Sequence, residues 1–114
     1  SSAASDVYKR QVGLIDDMAY AHMLVRARTA SKGLARRALR TELRAKGVSD
    51  EIAAIALESV TDDDETAMAM RLVERKSRSM AALDPQVRYR RLAALLARKG
   101  YPSSTISRVL TDLD

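Results

Sequence analysis

Apolar residues recur along this chain at spacings of three and four, in six stretches, and nowhere alternate with the two-residue period of a strand. The first stretch opens at Asp16 or Asp17, where acidic side chains suit the positive end of a helix. It continues through Tyr20, Ala21, Leu24, Val25 and Arg28 until Ser31-Lys32-Gly33 interrupts it. A second helix is predicted over 34–46, with Ala35, Ala38, Leu39 and Leu43 on its apolar face and Gly47 at a left-handed C-terminal position. Val48 then stands where a hydrophobic residue folds back on the last turn, and Ser49 is a good N-cap for a third helix with Ile52, Ile55, Ala56 and Val60 inward. The acidic run Thr61 to Glu65 reads as a capping segment in which Asp62 and Glu65 have capping-box spacing. It leads into a fourth helix carrying Met68, Ala69, Leu72 and Val73. Asp84-Pro85 starts a fifth around Leu92, Leu95 and Leu96, ended by Gly100 with Tyr101 behind it. Ser103 is expected to cap a sixth helix with Ile106, Val109, Leu110 and Leu113 inward.

The six helices form two copies of one unit. Tyr20, Ala21, Leu24 and Val25 match Met68, Ala69, Leu72 and Val73 at an offset of 48. Leu39, Leu43, Lys46 and Gly47 match Leu92, Leu96, Lys99 and Gly100 at an offset of 53, and Ile52, Ile55 and Ala56 match Ile106, Val109 and Leu110 at 54. A period near 50 with three helices per unit is a tandem helical repeat. The expected architecture is therefore all-α: two three-helix repeats, 12–60 and 61–114, in an elongated array whose units bury apolar surface on each other.

Composition sharpens this picture. Hydrophobic residues make up 46% of the 114, but aromatics only 4%, all of them Tyr, so the core must be built from Leu, Ile, Val, Met and many Ala. Small side chains suit closely approaching helices. The absence of Cys excludes disulfides, thiolate zinc sites and Cys nucleophiles, and fits a cytoplasmic location. No apolar run approaches the roughly 20 residues that a membrane span needs.

The order of certain residues points to a family. Leu14-Ile15-Asp16-Asp17, then Tyr20-Ala21, Lys32-Gly33 and Glu42-Leu43-x-x-Lys46-Gly47-Val48, resembles the middle of the RecX regulatory proteins. Arg91-Leu92 and Leu96-x-x-Lys99-Gly100-Tyr101 resemble that family's C-terminal repeat. The resemblance implies three-helix repeats, usually three of them. It also implies a protein that binds the recombinase RecA, particularly its filament on single-stranded DNA, and suppresses ATPase and strand-exchange activity. On this resemblance the family's first repeat is expected to be missing, with only Val12-Gly13 where its last helix would end. The stretch before it, SSAASDVYKRQ, caps nothing and repeats nowhere; an adapter used in transposase-based sequencing libraries translates to it codon by codon. Residues 1–11 are accordingly expected to be a non-native leader, with no role for Tyr8, Lys9 or Arg10. An apolar face near Val12 and Leu14 would then favour self-association, although a monomer is expected.

No enzyme is expected. The one histidine, His22, lies five or six residues from Asp17 and Asp16, off the three- and four-residue spacing of helical neighbours. The carboxylates at 62–65 lack the ligand alternation and central Gly of a calcium loop, and the glycines stand apart at 13, 33, 47 and 100, so nothing cradles a phosphate. No cofactor and no metal are expected.

The basic residues say more, against a net charge of only +5. Arg36, Arg40 and Arg44 recur every four residues on the second helix, with Arg37 beside them. Arg75 and Lys76 lie on the fourth, and Arg88, Arg90, Arg91 and Arg98 on the fifth. A solvated helix face accounts for any single one of these. Their recurrence on corresponding helices of both repeats favours a polycationic surface laid along DNA phosphates or an acidic protein groove; the resemblance implies the acidic surface of RecA, with weak direct contact to the DNA backbone. The alternative is a sequence-independent DNA-binding helical protein; a third is a purely structural scaffold. Base-specific reading is not indicated, since no aromatic set or groove-reading helix is present.

Overall fold

The computed structural model describes the backbone of residues 2–113 and the side chains of residues 13 and 15–113. Its described residues form six helices and no strand: α1 (Ser2–Lys32), α2 (Arg36–Ala45), α3 (Asp50–Leu57), α4 (Asp62–Ser79), α5 (Pro85–Arg98) and α6 (Ser103–Thr111). Helices α1–α3 enclose one core and α4–α6 a second. Met68 packs against both. The molecule measures 69 × 20 × 18 Å, and its radius of gyration of 18.2 Å exceeds the roughly 13 Å of a compact chain this long.

Helix α1 does not start at Asp16 or Asp17 but runs from Ser2 for 31 residues. No proline precedes Asp16, and residues such as Ala, Lys, Arg and Gln propagate a helix well. Gly13 costs about 1 kcal/mol and does not break it. The apolar face expected at Val12 and Leu14, and the side chains of Tyr8, Lys9 and Arg10, lie outside the described residues.

Each repeat ends its middle helix in the same way. The N–H of Gly47 donates to the Arg44 carbonyl and that of Val48 to the Leu43 carbonyl, both at 3.0 Å; Gly100 and Tyr101 repeat this on Ala97 and Leu96. Both glycines have positive φ, 86° and 94°, where a Cβ would be strained. Leu39 and Leu43, and their counterparts Leu92 and Leu96, are fully buried.

Four local expectations need correction. The capping box pairs Thr61 with Asp64, each side chain accepting from the other's N–H at 3.0 Å, so it lies one residue before the Asp62/Glu65 frame. The hydrogen bond from the Thr61 backbone N–H, and then the neighbouring Thr61 hydroxyl, hold the Asp64 carboxyl below the usual range. Pro102, not Ser103, occupies the N-cap of α6; its extended backbone leaves its carbonyl to accept from Ile106 N–H at 3.0 Å. Ile55 is exposed, because the inward face of α3 is Ile52, Ala53, Ala56 and Leu57. Finally, α2 begins at Arg36, and Ala35 belongs to the second core rather than the first. Ser49 and Asp84 cap α3 and α5 as expected, accepting from Ile52 N–H at 3.3 Å and Gln86 N–H at 3.0 Å.

Candidate partner-binding site

The start of α2 is where the two repeats meet. Its N-cap is Ala35, which offers no side-chain acceptor, so the first N–H groups of the helix need partners from elsewhere. The N–H of Ala35 donates to the Lys99 carbonyl at 2.9 Å. That of Arg36 donates to Glu65 Oε2 at 2.6 Å, and the Arg36 guanidinium donates to Glu65 Oε1 at 3.0 Å and to Asp62. Glu65 is the one charged side chain that is buried among the described residues, and it lies at the positive end of α2. Its hydrogen bond, then that of Asp62, makes Arg36 hold its proton more tightly than an ordinary arginine. Nearby, Tyr101 donates its hydroxyl to the Gly33 carbonyl at 2.6 Å, and Ala38 sits against Gly100 so closely that a Cβ there would lie 2.6 Å from Ala38 N.

This joint divides the expected arginine stripe. Arg36 is turned into the contact between repeats. Arg44 donates to Asp50 Oδ1 at 3.1 and 3.2 Å, an exposed pair within the first repeat. Arg37 and Arg40 are exposed and belong to no ion pair among the described residues.

In the second repeat the basic residues fall into three places. Lys76, Arg91 and Arg98 are brought together around a shallow groove between α4 and α5. Arg75 joins Arg71 in a small cleft where the end of α1 meets α4. Arg88 and Arg90 accompany Tyr89, whose exposed ring lines two neighbouring hollows, one floored by Leu110 and Leu113. The ten expected residues therefore lie in separate places, with Arg36 in the joint between the repeats and Arg44 paired with Asp50. Sequence reasoning missed Glu65, Tyr101 and Gly33 as partners across the repeats. The available signal was a helix start at Ala35-Arg36 with no Ser, Thr, Asp or Asn to cap it.

No group of three or more His, Asp and Glu among the described residues could hold a metal ion, and no described helix is long and apolar enough to cross a membrane.

Comparison with known proteins agrees with this architecture. Residues 16–57 match the family model described as the second three-helix domain of RecX, and residues 62–110 match that of the third. A protein named Regulatory protein RecX from Streptomyces coelicolor is 44% identical over 110 residues, covering 95% of this chain and 58% of its own. One of the same name from Amycolatopsis mediterranei is 41% identical over 102 residues, covering 90% and 58%. The chain thus spans somewhat more than half the length of these curated relatives. The crystal structure of RecX from Lactobacillus salivarius superimposes with a TM-score of 0.81 at 22% identity, over 96% of this chain and 73% of that one. With both repeats matched in order, the chain belongs to the RecX family.

Proposed function

We propose that this chain binds RecA, above all its filament on single-stranded DNA, and lowers its ATPase and strand-exchange activities without covalent chemistry. The observation that carries the reading is the set of exposed cations, in no ion pair among the described residues, on corresponding helices of the two repeats: Arg37 and Arg40 on α2, Arg90, Arg91 and Arg98 on α5. Two such surfaces on one elongated body suit contact with successive protomers of a polymer. Occupancy shifts the filament between states only if the chain binds them with different affinity, so bridging must favour an arrangement with less active ATPase sites. On this reading the working units are 12–60 and 61–114, the protein acts as a cytoplasmic monomer, and residues 1–11 contribute nothing.

The test is RecA's DNA-dependent ATP hydrolysis titrated with the chain. Hydrolysis should fall at amounts below one chain per RecA. Hydrolysis unchanged at saturation contradicts the proposal.

Direct, sequence-independent DNA binding is a second reading, favoured by the exposure of Tyr89 beside Arg88 and Arg90. It requires tight binding to DNA without RecA and a steep loss of affinity with salt, set by the phosphates neutralised. Weak DNA binding beside tight filament binding separates the two.

A further inference from the structure

Corresponding positions in the two repeats treat one cation in opposite ways. In the first repeat Arg28 of α1 donates Nε to Glu42 Oε1 of α2 at 2.7 Å, with both side chains partly buried. The offsets that align the repeats, 48 for the first helices and 53 for the second, put Lys76 where Arg28 stands and Leu95 where Glu42 stands. The cation is kept and its carboxylate is replaced by an apolar side chain.

The surroundings of Lys76 differ accordingly. Lys76, Arg91 and Arg98 rim a groove of about 270 Å³ whose floor is Met80, Ala94 and Leu95. Met80 and Leu95 pack against the second core yet stay partly exposed. None of the three cations is in an ion pair among the described residues. Three like charges over an apolar floor repel one another, and an anion supplied from outside relieves that repulsion.

We infer that the groove between α4 and α5 receives an acidic protein segment with an apolar anchor. A carboxylate of that segment pairs with Lys76, Arg91 and Arg98, as Glu42 pairs with Arg28 in the first repeat. An apolar side chain next to it seats on Met80, Ala94 and Leu95. A nucleic-acid backbone answers the cations equally well but leaves the floor in water, so the floor favours a peptide. The inference deepens the proposed function, since a filament protein is one source of such a segment, and it is tested separately from it.

The probe is a fluorescent helical peptide bearing Glu and Leu three and four positions apart on one face, with fluorescence anisotropy as the readout. The wild-type chain should bind it. Leu95→Glu, which restores the internal carboxylate of the first repeat, should weaken binding about tenfold. Lys76→Gln with Arg98→Gln, both on exposed residues, should weaken it similarly. This pair decides the matter if circular dichroism shows that Leu95→Glu disturbs the fold. A thymidine oligonucleotide should not displace the peptide. No binding by the wild type, equal binding by the variants, or displacement by the oligonucleotide overturns the inference. A RecA filament assayed in parallel keeps the two readings apart. Peptide binding without filament binding supports the groove and contradicts the proposed function; filament binding without peptide binding does the reverse.

Discussion

Glu65 accepts the backbone N–H of Arg36 at 2.6 Å, so a carboxylate of the second repeat caps a helix of the first. The contact is reciprocal: α2 lacks an acceptor of its own at Ala35, and the buried carboxylate needs a positive partner. With the Arg36 guanidinium, the Tyr101 hydroxyl on Gly33 and Ala38 against Gly100, it fixes how the repeats sit on each other.

Glu65→Ala should therefore destabilise the fold by about 2–3 kcal/mol, since it leaves the Arg36 N–H and guanidinium without their shared partner. Asp62→Ala should change stability by less than about 0.5 kcal/mol, because that carboxylate is 92% exposed and its pairing is screened by water. Urea unfolding followed by circular dichroism measures both. Equal effects would mean that Glu65 is no cap.

The two left-handed glycines separate backbone strain from contact. Gly47→Ala should cost about 1 kcal/mol, the strain of its φ alone, because nothing lies within 4 Å of an added Cβ. Gly100→Ala meets the same strain and also collides with Ala38, so it should cost about 3 kcal/mol or more. Thermal unfolding of the two variants side by side reads the difference, and similar midpoints would deny the close approach of α2 to Gly100.

Tyr101→Phe should cost about 1 kcal/mol through the lost hydrogen bond to Gly33. Burial, and then the negative charge of Glu65, push the Tyr101 phenol up to about 12. The folded chain then keeps a proton that the unfolded chain releases near pH 10. The stability tied to this proton is whole below pH 10 and is lost as pH rises from 10 towards 12. Wild-type stability should fall more steeply than that of Tyr101→Phe across this window, and parallel curves would show that the phenol titrates normally.

Much of the fold was legible because it is local. The Gly47 and Gly100 stops, the Ser49 and Asp84 caps and the three–four spacing of Leu39, Leu43, Leu92 and Leu96 all act within a few residues. What was illegible joins distant segments. Ala35 and Ala38 look like ordinary core positions beside Leu39, and only the packed structure turns them towards Gly100 and the second core. Thr61 captured Asp64, and this left Glu65, the apparent capping-box acid, to reach residue 36 instead. The candidate surface suffered most. Periodicity placed Arg36, Arg40 and Arg44 in one row but could not show that Asp62, Glu65 and Asp50 claim two of them.

That division sets the decisive measurement. Arg37, Arg40 and Arg90 are exposed and in no ion pair among the described residues, so replacing all three with Gln should leave the unfolding midpoint unchanged. In the RecA ATP-hydrolysis assay the triple variant should need about tenfold more protein than the wild type for the same inhibition. Inhibition by the variant equal to that of the wild type would contradict the claim that these free arginines carry the interaction.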